Sequence, residues 1–148
     1  MTAPFIMLVD DEAPFVETLA KRLEKRNIKT IAAFSGKECL ELLKTHQTLD
    51  VIVLDVKMPG MDGIETLKII KKDFPLIEVI MLTGQATIET AIDGMKLGAH
   101  DFLLKPCDIE DLVSKVVEAT RHKRDQENKI KEAKKQETLA KYGPFYYT

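Results

Sequence analysis

Residues 51–63 read VIVLDVKMPGMDG. Val51–Leu54 is a short β-branched apolar run, the pattern of a buried strand, and Asp55 closes it. The following Met58-Pro59-Gly60-Met61-Asp62-Gly63 is rich in turn formers and reads as a connection shaped to place the backbone around Asp55. Working outward, similar runs occur at Phe5–Val9, Lys29–Ala33, Glu78–Leu82 and Asp101–Leu104. Segments of helical period lie between them at 13–26, 36–45, 64–73 and 86–97, and a last one starts at 108. Ser35 and Asp108 stand where N-caps are expected, and Gly98 where a helix should stop. Five strand–helix units of this length predict an α/β fold with a parallel sheet covered on both faces. Right-handed crossovers make it doubly wound.

The composition agrees with this reading and excludes others. The chain has 148 residues, enough for one domain with a real core; 45% are apolar and 31% charged, as in a soluble globular protein rather than a disordered one. No apolar run approaches a membrane span. The start, MTAPFIMLVDDE, has no basic region ahead of its apolar stretch and reads as a strand rather than a signal peptide. Cys39 and Cys107 form no metal or disulfide spacing, so a reduced, cytoplasmic setting is expected.

The net charge of −2 is unevenly placed, with a local +4 over residues 121–141 and −6 on the remainder. An acidic body weighs against nucleic-acid binding by that body. The apolar stripe fades near Arg121. The expected division is therefore a globular domain over residues 1–122 and, over 123–148, a charged helical extension with an aromatic tail, Phe145-Tyr146-Tyr147. Asp125/Lys129, Glu127/Lys131 and Glu137/Lys141 sit at helical spacing with the acid first, the favourable order, until Gly143-Pro144 ends the helix. Apolar heptad positions are too sparse for a coiled coil.

In open parallel sheets, ligands collect beyond the carboxyl ends of the strands. The first strand delivers Asp10-Asp11-Glu12 there, the third Asp55, the fourth Thr83-Gly84 and the fifth Lys105-Pro106. Two carboxylates about 4 Å apart repel by roughly 4 kcal/mol at an effective dielectric of 20, so a shared proton or a divalent cation must offset them. An all-oxygen site with room for water suits Mg2+. Lys105 supplies a mobile point charge for phosphate, and a carboxylate can act as a nucleophile toward phosphorus.

Together, Asp10-Asp11 after an apolar strand, LDVKMPGMDG around Asp55, MLTG at Thr83 and LLKP at Lys105 resemble the bacterial response-regulator receiver domains of two-component signalling. The resemblance covers roughly residues 4–120. Each motif is weak alone; the four in this order are specific. It implies a flavodoxin-like (βα)5 fold with strand order 2-1-3-4-5. It implies that Asp55 is the phosphoacceptor, that Asp11 and Asp55 ligate Mg2+ directly with the backbone carbonyl of Lys57, and that Asp10 acts mainly through water. Thr83 and Lys105 would bind phosphoryl oxygens, Thr83 and Phe102 would act as the switch pair, and the Lys105–Pro106 peptide would be cis. Lys57 and Gln85 stand at positions that tune dephosphorylation in the family.

The implied function is a switch phosphorylated by a sensor histidine kinase or phosphotransfer protein. It would change the face made by the fourth helix, fifth strand and fifth helix, through which a homodimer could form. Such a domain is no enzyme beyond its own phosphotransfer and autodephosphorylation. It would be either a stand-alone receiver or the N-terminal portion of a longer regulator.

Two other functions compete. A metal-dependent phosphatase with an aspartyl nucleophile shares the Asp, Thr and Lys set, but places its nucleophile after the first strand. A non-phosphorylated dimerisation module would not need the set at all. A nicotinamide-binding fold lacks its GxGxxG. Singly, each residue has a plain structural reading: Asp in turns, Thr83 in a strand, Lys105 in solvent, Phe102 partly in the core. Cys107 reads as a small helix-start residue rather than a redox sensor. His46, His100 and His122 are scattered without ligand spacing and read as surface residues.

Overall fold

The computed structural model describes residues 1–84 and 88–143. The elements run β1 (Phe5–Val9), α1 (Ala13–Glu24), β2 (Lys29–Ala33), α2 (Gly36–Leu43), β3 (Val51–Leu54), α3 (Gly63–Asp73), β4 (Glu78–Thr83), α4 (Ile88–Lys96), β5 (Asp101–Leu104) and α5 (Ile109–Tyr142). All neighbouring strands are parallel, in the order β2-β1-β3-β4-β5. This is the expected flavodoxin-like doubly wound (βα)5 architecture. Gln85 and the tail from Pro144 through Phe145-Tyr146-Tyr147 lie outside the described residues.

Alternation along the central strands divides the core. Met7 and Val9, Ile52 and Leu54, and Val79 and Met81 point to the face covered by α2 and α3, where they meet Cys39, Leu43, Leu67 and Ile70. Ile6 and Leu8, Val51 and Val53, and Ile80 and Leu82 point to the other face, against Val16 and Leu23 of α1 and Leu112, Val116 and Ala119 of α5. Each such side chain contributes about 1.5–3 kcal/mol through burial, which holds β1, β3 and β4 rigid between the layers.

Local chemistry sets the helix ends. Ser35 caps α2 by accepting from the Glu38 amide, and the Asp108 carboxylate accepts from Glu110 at the start of α5. Asp62 caps α3 through the Glu65 amide, which ties the turn after Asp55 to the helix behind it. The helix expected over 13–26 stops at Glu24, because the chain turns through Asn27 at φ 61° to enter β2. Gly98, at φ 102°, follows α4 as anticipated, in a conformation that costs glycine little.

The largest departure from the sequence reading lies on α5. Lys123 and Arg124, expected to begin a solvated extension, pack on the body. Lys123 is 4% exposed, with its ammonium 3.4 Å from Asp50, and Arg124 binds the same carboxylate at 2.9 Å. Arg124 also reaches the Thr2 and Ala3 carbonyls, and Asp50 accepts the Phe5 amide at 2.9 Å. Glu127, expected to pair with Lys131, stands 3.3 Å from Lys123 instead; Asp125 and Lys129 do pair, at 3.4 Å. The reason is the buried Asp50 carboxylate, which needs counter-charges that hydrophobic periodicity does not reveal.

Asp50→Ala should therefore cost about 3 kcal/mol in urea unfolding, because it strands two cations against the body. A loss under about 1 kcal/mol, the level of an exposed pair, would show that the cluster does not anchor α5.

Candidate functional site

β1 and β3 are the central neighbours from which the chain winds in opposite directions, so a crevice opens beyond their carboxyl ends. The pairing of Val9 with Leu54 brings Asp10 and Asp55 side by side, and that of Thr83 with Leu104 brings Lys105 next to Thr83. The Lys105 amide donates to the Thr83 carbonyl at 2.9 Å, and the Lys105–Pro106 peptide is cis. A cavity of about 330 Å³ results, lined by Asp11, Glu12, Asp55, Lys57, Thr83, Gly84 and Lys105. One oxygen from each of Asp10, Asp11 and Asp55 falls within 4.8 Å of the others.

The loop after Asp55 is held by close backbone approach. The Gly63 amide donates to the Val56 carbonyl at 2.7 Å, and a Cβ on Gly63 would stand 2.1 Å from the Asp55 carbonyl oxygen. Only glycine fits. Val56 and Met58 are buried and pin the same loop to the core.

The charges do not balance. Asp10 and Asp55 are each 6% exposed while Asp11 faces solvent. Lys105 bonds to Asp10 Oδ2, and its Nζ lies 3.4 Å from Glu12 and 3.9 Å from Asp55 Oδ2. The ammonium also sits 4.2 Å from the centre of the Phe15 ring. Burial pushes the Asp55 carboxyl above its ordinary range; the Thr83 hydrogen bond opposes this, the Asp10 charge adds to it, and Lys105 and the Val56 amide oppose it. For Lys105, burial acts downward, but the bond to Asp10 and the surrounding carboxylates hold it above its usual value. The clustered carboxylates thus leave unmet negative charge around an open, oxygen-lined cavity. That donor set fits a hard divalent cation.

Phe102 is half-buried and pairs with Met81, so its ring lies on the same sheet face as the Thr83 side chain, one strand away. Burial, with Asp111 and Asp108 nearby, raises the Cys107 thiol, which argues against a reactive thiolate; burial pushes Cys39 up to about 12. Sequence reasoning did not find Phe15 or the role of Glu12, whose signal was only proximity to the acidic pair.

The histidines are not all scattered. His46 bonds locally to the Leu42 carbonyl at 2.9 Å, but the His100 and His122 rings lie 5.9 Å apart, both against Glu78.

The response regulator receiver domain model matches residues 6–117. The chain belongs to this family. It is 37% identical over 117 residues to the transcriptional regulatory protein ZraR of Escherichia coli K12, a match covering 79% of this chain and 26% of ZraR. It is 36% identical over 120 residues to the DNA-binding transcriptional regulator NtrC of Klebsiella pneumoniae, covering 81% of this chain and 25% of NtrC. The chain thus spans about a quarter of these curated relatives.

Among solved structures, a receiver domain protein from Clostridium thermocellum superposes with a TM-score of 0.78 at 33% identity, covering 82% of this chain and 97% of the other. The receiver domain of the Francisella response regulator 1452 gives a TM-score of 0.73 at 36% identity, covering 80% and 97%. The protein is thus a receiver domain of the two-component response-regulator type. Among the described residues, no helix is long and apolar enough to cross a membrane.

The raised Asp55 carboxyl has a consequence for stability. The folded state favours its protonated form, so the stability it contributes is fully present below the unfolded pKa, about 3.9, and is lost as pH rises through the higher folded value. With divalent cations chelated, Asp55→Asn should raise Tm at pH 7, and the gain should shrink as pH falls toward about 4. A gain that is independent of pH, or a loss at pH 7, would contradict this.

Proposed function

We propose that this receiver is a phosphorylation-operated switch with Asp55 as phosphoacceptor. The observation that carries the reading is one cavity lined by Asp11, the buried Asp55, Thr83 and Lys105, with Asp10 bonded to Lys105 and an oxygen of each aspartate within 4.8 Å of the others. A phosphohistidine on a sensor histidine kinase or phosphotransfer protein is the donor. An Asp55 oxygen attacks phosphorus as the phosphorus–nitrogen bond breaks, and the leaving imidazole keeps the electron pair and takes up a proton.

Asp11 and Asp55, with the Lys57 carbonyl and Asp10 through water, would hold Mg2+, which supplies positive charge against the transferring oxygens. The Lys105 ammonium leaves Asp10 to pair with one phosphoryl oxygen, and the Thr83 hydroxyl donates to another. Beyond its own phosphotransfer and autodephosphorylation the domain turns over no substrate.

The energetics suffice. Phosphorylation adds nearly two negative charges at Asp55. Inverting a two-state equilibrium from 1:99 to 99:1 takes about 5.5 kcal/mol, and charge-assisted bonds contribute roughly 1.5–3 kcal/mol each. Two or three new contacts are enough. Thr83 moves inward, and Phe102, on the same face, follows by repacking.

This changes the surface of α4, β5 and α5, where Ile88, Ile92, Met95 and Leu104 are exposed apolar side chains suited to a second copy of the chain. We assign the switch to residues 1–122, working in the cytoplasm. The charged helix beyond is rooted at Lys123 and Arg124. The acidic body itself is not a nucleic-acid surface.

Amide NMR in Mg2+ with beryllofluoride, a phosphoryl mimic, tests the reading. Resonances of Thr83, Phe102 and Lys105 and of the α4-β5-α5 surface should shift together, and Asp11→Asn should abolish the response at the same Mg2+ concentration. Unchanged spectra in the wild type would instead identify a module that does not switch.

A further inference from the structure

At the amino edge of the sheet, opposite the aspartate rim, three residues distant in sequence converge. Glu78 opens β4, His100 directly precedes β5, and His122 comes from α5. Glu78 is buried, with its side chain 10% exposed. His100 Nδ1 lies 3.4 Å from its Oε2 and His122 Nδ1 lies 3.2 Å from its Oε1; one donor atom from each residue falls within 4.8 Å of the others. Lys71 Nζ is 3.9 Å from Glu78, but donates to the Pro75 and Ile77 carbonyls at 3.0 Å each and is directed toward them.

We infer that Glu78, His100 and His122 form a second metal site, for a borderline transition-metal cation of the Zn2+ type. The two imidazole nitrogens approach different oxygens of Glu78, at 3.4 and 3.2 Å, and one donor atom from each residue lies within 4.8 Å of the others. A modest side-chain closure therefore brings three single donors to the spacing of about 3.3 Å that a tetrahedral Zn2+ with ligands at about 2.0–2.1 Å requires. Two imidazoles and one carboxylate favour such an ion over Mg2+, which prefers an all-oxygen shell.

A second feature supports the assignment independently. The other ring nitrogen of His100, Nε2, lies 3.3 Å from Glu118 Oε2, and Lys115 stands 3.7 Å from the same oxygen. A carboxylate behind a ligating histidine is the usual device that fixes its tautomer and orientation. His122 is half-exposed, which leaves it free to adjust and gives an ion access from solvent, with water in the fourth position. A bound ion would clip α5 to β4 and to the segment entering β5, next to the Asp50 anchor of the same helix.

The test titrates the full chain with Zn2+ by calorimetry in excess Mg2+, which occupies the aspartate rim, with side-chain NMR of the histidines in parallel. One equivalent of Zn2+ should bind, shifting the ring resonances of His100 and His122 and not those of His46. His100→Ala and His122→Ala should each weaken binding about tenfold or more, while His46→Ala leaves it unchanged. His122 is half-exposed on a helix, so its alanine variant should fold. Binding that survives both substitutions, or wild-type His100 and His122 resonances that do not move with Zn2+, would overturn the assignment and leave the histidines as plain partners of Glu78.

Discussion

Mutual repulsion among the carboxylates of Asp10, Asp11 and Asp55 is the interaction around which this domain is organised. Their oxygens converge within 4.8 Å, and Lys105 is the lysine placed among them. At about 4 Å and an effective dielectric of 20, each like-charge pair costs roughly 4 kcal/mol. That is a large share of a domain's net stability. The structure meets the cost incompletely: Lys105 binds Asp10 and Thr83 hydrogen-bonds Asp55, yet burial, with the Asp10 charge adding to it, still pushes Asp55 toward its protonated form. A rim left short of positive charge favours a cation and, with it, a group that reorganises Lys105 and Thr83.

Such a rim needs a rigid frame. β1 and β3 are buried on both faces, which leaves Asp10 and Asp55 little freedom to move apart. The approach of Gly63 to the Asp55 carbonyl, and the Asp62 cap that follows from it, prevent the loop from relaxing outward. At the opposite edge, Asp50 holds Lys123 and Arg124 and so fixes α5 to the sheet. α5 adjoins the face that a switch in Thr83 and Phe102 would alter.

Much of this was legible in the sequence, for a physical reason. Strands of a parallel sheet are short apolar runs, and four of the five runs here, all but β2, end at or next to the residue they deliver to the rim. Asp55, Asp10, Thr83 and Lys105 could therefore be placed together once the strands were recognised. The caps at Ser35 and Asp108 are local chemistry and equally readable. What stayed hidden depends on contacts between residues far apart in the chain. Lys123 and Arg124 looked like solvated helix because nothing near them announces the buried Asp50. His100 and His122 looked scattered because the pairing of β5 with β4 brings the first to Glu78 and the packing of α5 on β4 brings the second. Glu127 could equally have paired forward with Lys131 or back with Lys123, and the burial of Lys123 decided it.

The central claim is that the carboxylate at position 55 takes the phosphoryl group. Its most direct test is chemical: treat the protein with acetyl phosphate and Mg2+, reduce the acyl phosphate with borohydride, and map the peptides by mass spectrometry. The account predicts homoserine at position 55, formed only when Mg2+ is present. Homoserine at position 10 or 11 instead, or an unmodified peptide around residue 55 at full exposure to the donor, would contradict it.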